Sequence, residues 1–429
     1  MNNKLFEFIK NSPTAYHACK TAADILTKNG YTELFEGEKW VLKEKKGYFV
    51  KRNGSSVIAF RVPEGGVSGF MIAASHGDSP CLKIKENAEM KDKYYVRLST
   101  ETYGGMIYSS WLDRPLGVAG RVVVKTEKGI EVKLVDSEGA EAIIPNVAIH
   151  MNRQVNSGMN YNASVDLIPL WGAAEEEGSF KALVSQLADV EEKDILTTDL
   201  FLYNPQDGYE WSEFISAPRL DDLQCAYSSL EAFLTSGASE GGKALPVYAL
   251  FDNEEVGSQT KQGAASTFLY DVLKRIILVI GGDEAAYMQV LANSFMVSCD
   301  NAHSIHPNHP EYSDRNHTVH MNGGVVIKYN ANQRYTSDAV SAAIFKSVCD
   351  EADVPTQYYA NRADMPGGST LGNIANTQVS LNTVDIGLAQ LAMHSSFETA
   401  GKHDTEYMVK ALTAFYTKGI KATVNGYNF

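Results

Sequence analysis

Six residues of this 429-residue chain have the chemistry to hold and use a pair of divalent cations: His76, Asp221, Glu254, Glu255, Asp300 and His394. A hydrolytic metal pair sits about 3.5–4 Å apart and needs a bridging carboxylate, further histidine and carboxylate ligands, and a separate base for the attacking water. Two histidines and four carboxylates supply all of those parts. The chemistry they imply is the attack of an activated water on a carbonyl.

Something must bring together positions more than 300 residues apart, and the flanking sequence indicates what. Phe70-Met71-Ile72-Ala73-Ala74 precedes His76, Leu245 to Phe251 precedes Asp252-Asn253-Glu254-Glu255, and Phe295-Met296-Val297 leads to Asp300. These runs are continuous rather than alternating, the pattern of strands covered by helices on both faces. Sites in such sheets gather beyond the carboxyl ends of the strands, so polar residues just past each run converge. Taken alone, a strand-end Asp or Glu is more commonly a helix cap or a solvated loop residue. Two adjacent glutamates after a buried strand are harder to dismiss, because successive side chains point apart and can divide the work, one on water and one on metal. A histidine bonded to Asp78 could be a structural pair, yet a ligating histidine is oriented by a carboxylate in the same way.

An ordered set of short motifs extends over nearly the whole chain: Ser12-Pro13-Thr14 before a helix, His76-Gly77-Asp78-Ser79-Pro80, Tyr103-Gly104-Gly105, Trp111-Leu112-Asp113-Arg114, Arg219-Leu220-Asp221, Asp252 to Ser258, Asp364-Met365-Pro366 and Leu391-Ala392-Met393-His394-Ser395. Together they resemble the aspartyl aminopeptidase family of dinuclear metallo-aminopeptidases. The resemblance implies that Asp221 bridges two ions, one completed by His76 and Asp300 and the other by Glu255 and His394. It makes Glu254 the general base and Asp78 the partner of His76. It departs from the family pattern at Gly77 (usually Thr), Asp222 (usually Asn), Met106 (commonly Gly) and Gly367 (frequently Cys). None of these removes a ligand, but Asp222 bears on the geometry around the bridging residue.

The resemblance also implies an α/β fold: a zinc-exopeptidase-like catalytic domain with a mixed central sheet flanked by helices, and an inserted β-rich dimerisation domain. The length exceeds one typical core, which agrees with two domains. Arg121 to Lys125 and Ile130 to Leu134 around Thr126-Glu127-Lys128-Gly129 read as a β-hairpin. A β-rich block there interrupts any helix–strand alternation. The expected division is therefore 1–91 with 221–429 as the catalytic domain and 92–220 as the insertion. In the family this insertion builds dimers and then dodecamers. Within it, Ile149-His150-Met151-Asn152-Arg153 resembles the segment that crosses to a neighbouring subunit, so His150 is expected to complete a neighbour's site. His303 and His317 are placed near the substrate or a subunit contact. Lys328, 28 residues after Asp300, is placed against an acidic first residue of the substrate.

Composition narrows the remaining classes. A net charge of −14 argues against a nucleic-acid partner, which needs a basic patch. No apolar run approaches the ~18 residues of a membrane span, and the most apolar, Ile276 to Ile280, is only a strand's length. Five cysteines without a CxxC suit reduced thiols, and the N-terminus lacks a signal peptide's apolar core, so a cytoplasmic location is expected. Five histidines between 303 and 320 invite a separate zinc site, but Pro307 and Pro310 break any helix that could present them one turn apart. Gly367-Gly368-Ser369-Thr370 lacks the lysine of a phosphate loop and reads as a turn into a helix. The expected activity is a metallo-aminopeptidase that removes N-terminal residues, acidic ones first, from peptide substrates. Its cofactors are two divalent ions per subunit, zinc foremost, with cobalt or manganese compatible with the same donors. A preference for neutral residues, or dipeptidase or deacetylase activity on the same scaffold, is the alternative.

Overall fold

The apolar runs lie side by side at the centre of a nine-stranded mixed sheet. Its order is 32–34, 47–52, 56–61, 244–251, 69–76, 295–299, 382–387, 325–329 and 356–360. In this computed structural model, which describes residues 1–237 and 243–428, the strand Gly69–His76 runs parallel to both Ala244–Phe251 and Phe295–Cys299. Phe295–Cys299 in turn runs parallel to Asn382–Gly387. Four adjacent strands therefore end on one edge of the sheet. Register aligns the ends, with Phe251 opposite His76 and Ser298 opposite Ala74.

Both faces of these strands are buried, which is why their sequences do not alternate. Met71 and Ala73 pack into one core with Leu223, Leu230 and Phe233 of the helix Leu220–Thr235 and Leu412 and Phe415 of the helix Asp404–Thr417. Phe70, Ile72 and Ala74 pack into the other with Phe268, Val272 and Ile276 of the helix Phe268–Val279. The run Ile276 to Ile280 is thus the end of a helix, whose spacing places Phe268, Leu269, Val272, Leu273, Ile276 and Ile277 on the covered side. Each fully buried side chain of this size contributes about 1.5–3 kcal/mol, so the sheet is a rigid base for the loops at its edge.

A second sheet of seven strands, ordered 195–203, 81–91, 95–103, 170–173, 142–143, 115–126 and 129–136, closes on itself because 195–203 also pairs with 115–126. Its interior holds Leu82, Leu98, Leu116, Val118, Val122 and Leu200. The hairpin read from sequence is present, with Thr126 opposite Gly129. A small five-stranded sheet, 209–211, 214–217, 398–401, 389–391 and 302–303, sits beside the central one. Its strands flank Asp221, Asp300 and His394, so it ties together three loops that the central sheet leaves at separate strand ends. Among the described residues no helix is long and apolar enough to cross a membrane.

Candidate metal centre

His76 is the last residue of its strand and is 1% exposed. Its Nδ1 lies 3.0 Å from the carbonyl oxygen of Asp78 and 3.4 Å from that residue's Oδ1, which leaves Nε2 facing Asp221 Oδ1 at 3.8 Å. Asp78 is the hub of this corner. Its carboxylate accepts the amides of Glu254 and Glu255, each at 3.1 Å, and the hydroxyl of Tyr103 at 2.7 Å. Burial pushes its pKa up, but the bonds from His76, Tyr103 and the Glu255 amide outweigh that and hold it below the usual carboxylate range. Asp78 therefore fixes a histidine and the backbone of both glutamates at once.

Asp221 sits in the first turn of the helix Leu220–Thr235, where its own backbone departs from helical angles. Its Oδ2 lies 3.3 Å from His394 Nε2, and that same nitrogen is 3.2 Å from Glu255 Oε1. His394 is oriented from behind by the carbonyl of Gly105, 2.9 Å from Nδ1. Gly104 is required here, since it has a φ of +73° and a Cβ would stand 3.1 Å from Cβ of Glu255. Asp300 follows the strand Phe295–Cys299, and its amide donates to Ile386 O at 3.0 Å.

Three sets of donors have ligand atoms within 4.8 Å of one another: His76, Asp221, Asp222 and Asp300; Asp221, Glu255 and His394; and His76, Glu254 and Glu255. Asp221 belongs to two of them. Asp221 Oδ1, Asp222 Oδ1 and Glu255 Oε1 are buried and accept no hydrogen bond. A buried carboxylate oxygen without a partner is costly, so these atoms are suited to a cation. The pKa shifts agree. Burial raises Glu254 and Asp222 well above the carboxylate range and Glu255 to about 7, while the facing carboxylates outweigh burial and raise His394 to about 12. This crowd of acids asks for positive charge, and the donor set of imidazole and carboxylate suits zinc, cobalt or manganese.

The other sequence candidates lie outside these three donor sets. Lys328 is 2% exposed and directs Nζ at the carbonyls of Asp300 (2.7 Å) and Asn301 (3.2 Å), with Asp300 Oδ2 at 3.6 Å and the Tyr335 ring centroid at 5.1 Å. His303 has its ring 6.1 Å from that of Tyr359 and lies near enough to Lys328, Asp221 and His394 to sense their charges, whereas His317 is exposed and bonded to Asp314 at 2.9 Å. His150 is exposed on a loop between Val147, Ile149 and Met151, themselves 53%, 49% and 83% exposed. None of the histidines from 303 to 320 joins a metal-competent group among the described residues. Two residues escaped the sequence reading. Tyr103 stood in a quoted motif without a role, and Glu398 carried no signal beyond being an acid four residues after His394.

The chain matches, over residues 8–416, a family model described as aminopeptidase I zinc metalloprotease (M18). The chain belongs to the M18 family of zinc metallo-aminopeptidases. It is 44% identical over 427 residues to a probable M18 family aminopeptidase 2 of Clostridium novyi, covering 96% of this chain and 98% of that protein. With the protein of the same description from Clostridium acetobutylicum it shares 45% identity over the same shares of each chain. Among solved structures it resembles Ape4 in its complex with Nbr1, with a TM-score of 0.93 at 33% identity over 96% of this chain and 85% of that one. It also resembles the S. cerevisiae mApe1 dodecamer, with a TM-score of 0.84 at 27% identity over 96% and 95%. The protein is therefore a metallo-aminopeptidase, and the resemblance read from its motifs and these matches agree.

Proposed function

We propose that this M18 enzyme uses two metal ions, with Asp221 bridging them, His76 and Asp300 completing one site, and Glu255 and His394 completing the other. The observation that carries this reading is that the group of His76, Asp221, Asp222 and Asp300 and the group of Asp221, Glu255 and His394 have Asp221 in common and no other residue. When bound, the ions supply the Lewis acidity that acidifies an attacking water, polarises the scissile carbonyl and anchors the free α-amine. Glu254, outside the two Asp221 groups, takes the proton of that water and returns it to the leaving amine. Its amide is held by the Asp78 carboxylate and the imidazole of His76 by the Asp78 backbone carbonyl, so one residue positions both. Metal analysis of the purified protein together with a panel of aminoacyl substrates tests the reading. Two equivalents of metal and turnover that depends on both support it, and full activity with one equivalent refutes it.

The proposed substrates are peptides beginning with Asp or Glu, recognised through Lys328, the buried cation beside Asp300. A second reading, preference for a neutral first residue, is favoured by one observation: two carbonyls and Asp300 already engage the Lys328 ammonium. Relative kcat/KM for aspartyl and leucyl substrates separates the two. We further propose that the inserted domain, expected at 92–220 but with the strand Cys81–Lys91 already in its seven-stranded sheet, is where subunits pair into dimers that build a dodecamer; the yeast relative mApe1 is described as a dodecamer. The exposed Val147, Ile149 and Met151 beside His150 support burial of this loop against a neighbour, with His150 entering its site. Five free thiols, four of them buried, suit the reducing environment of the cytoplasm.

A further inference from the structure

Two of the proposed ligands, Asp221 and His394, come from segments 173 positions apart, yet their backbone amides converge on a single side chain. Glu398 Oε2 accepts the amide of Asp221 at 2.9 Å, and Glu398 Oε1 accepts the amide of His394 at 2.7 Å. Glu398 is 2% exposed and begins the strand Glu398–Gly401, whose first residue stands opposite Ala217, four positions before Asp221. No ion pair of Glu398 is found among the described residues. A carboxylate buried without an ion pair of its own is retained only where something specific demands it, and here two inward-facing donors demand two acceptor oxygens on one planar group.

The need is greatest at His394. Its φ is +68°, and Ala392 two residues before it has a φ of +57°, a conformation that side chains other than glycine adopt only when the surroundings impose it. Arg219, two residues before Asp221, also has a positive φ, +55°. The loops that present Asp221 and His394 are thus both bent into left-handed backbone, and Glu398 bonds both at the ligand residue itself. A glutamine could accept only one of the two amides and would turn its NH2 toward the other donor. A carboxylate satisfies both.

We propose that Glu398 is a positioning residue that sets the distance between Asp221 and His394, and hence the affinity of the ion they share with Glu255. This rests on the two-ion reading above. It touches neither metal nor substrate, and acts through the backbone of its two neighbours.

The test is metal binding by the full-length protein, not turnover. Apo protein prepared by chelation, with its fold checked by circular dichroism, is titrated with Co²⁺, whose visible absorption reports coordination at each site, and with Zn²⁺ by calorimetry. Wild type is expected to take two equivalents, and a single equivalent refutes the two-ion reading independently of Glu398. Glu398→Gln is expected to weaken one equivalent by about 10–100-fold, the usual effect of removing a group that orients a ligand, and the other by less. Glu398→Asp keeps both acceptor oxygens on a shorter stem and is expected to fall between Gln and wild type. If the Gln variant does not fold, the Asp variant decides by the same selective loss. Wild-type affinity for both ions in a folded variant overturns the proposal, and so does equal weakening of both, which marks general loosening. Should wild type bind one ion only, an unchanged affinity for that ion in the variants overturns it.

Discussion

Replacing Glu254 by Gln and, separately, Glu255 by Gln tests how two adjacent carboxylates divide the chemistry. The backbone amides of both residues are held by Asp78 at 3.1 Å, so isosteric substitutions leave the main chain in place and change only the side-chain heads. Glu255 Oε1 lies 3.2 Å from His394 Nε2 and forms a ligand-competent group with His394 and Asp221. Its loss removes one of the three donors of that group and one negative charge from the centre. Glu254 enters only the group that contains His76 and Glu255. Its loss leaves both Asp221 groups intact. A positioned base is worth roughly 10²–10⁴-fold, and at 1.36 kcal/mol per decade this amounts to about 2.7–5.4 kcal/mol of transition-state stabilisation. Glu254→Gln is therefore expected to hold wild-type metal while kcat falls by that factor, and Glu255→Gln to lose metal. The assay pairs metal content by mass spectrometry with steady-state kinetics on one aminoacyl substrate. The reverse pattern, metal lost from the Glu254 variant and kept by the Glu255 variant, refutes the division.

Three further outcomes are expected. His150→Ala assembles normally but loses most activity, and mixing it with Glu254→Gln restores part of it through exchanged subunits; a fully active monomer contradicts this. Lys328→Ala costs kcat/KM for aspartyl substrates about 1.5–3 kcal/mol, the scale of a hydrogen bond to a charged group, and leucyl substrates less; equal losses assign Lys328 to holding the Asp300 carbonyl instead. His17, half-buried with Nδ1 2.9 Å from Thr14 Oγ1, is lowered by burial from 6.5 to about 4. The unfolded chain then binds the extra proton between these values. Stability is thus lost as pH falls from about 6.5 toward 4, by at most about 3 kcal/mol. In His17→Gln the fall of Tm across that window is shallower, and an unchanged slope rules the site out.

What was legible in the chain follows from the local character of its signals. Continuous apolar runs before His76, Glu254 and Asp300 mark buried strands because a strand covered on both faces has no reason to alternate. The turn at 126–129 is legible because its chemistry lies within a few residues. The run at 276–280 shows the limit: five apolar residues read alike in a strand and a helix, and only the spacing of the whole segment 268–279, packed under the sheet, distinguishes them.

What only the tertiary structure decided is adjacency. No local pattern says that the strand 69–76 lies between 244–251 and 295–299, which is what collects their ends on one edge, because strand order is set by the packing of two cores. Asp221 lies in the first turn of a helix rather than after a central strand, so its place in the cluster depends on the small five-stranded sheet that ties it to His394. Lys328 and Glu398 show the same dependence. The sequence offers a lysine after an apolar run and an acid in a polar loop. Folding surrounds one with carbonyls and the other with amides, and those neighbours are contributed by distant segments that only the packed chain brings within hydrogen-bond reach.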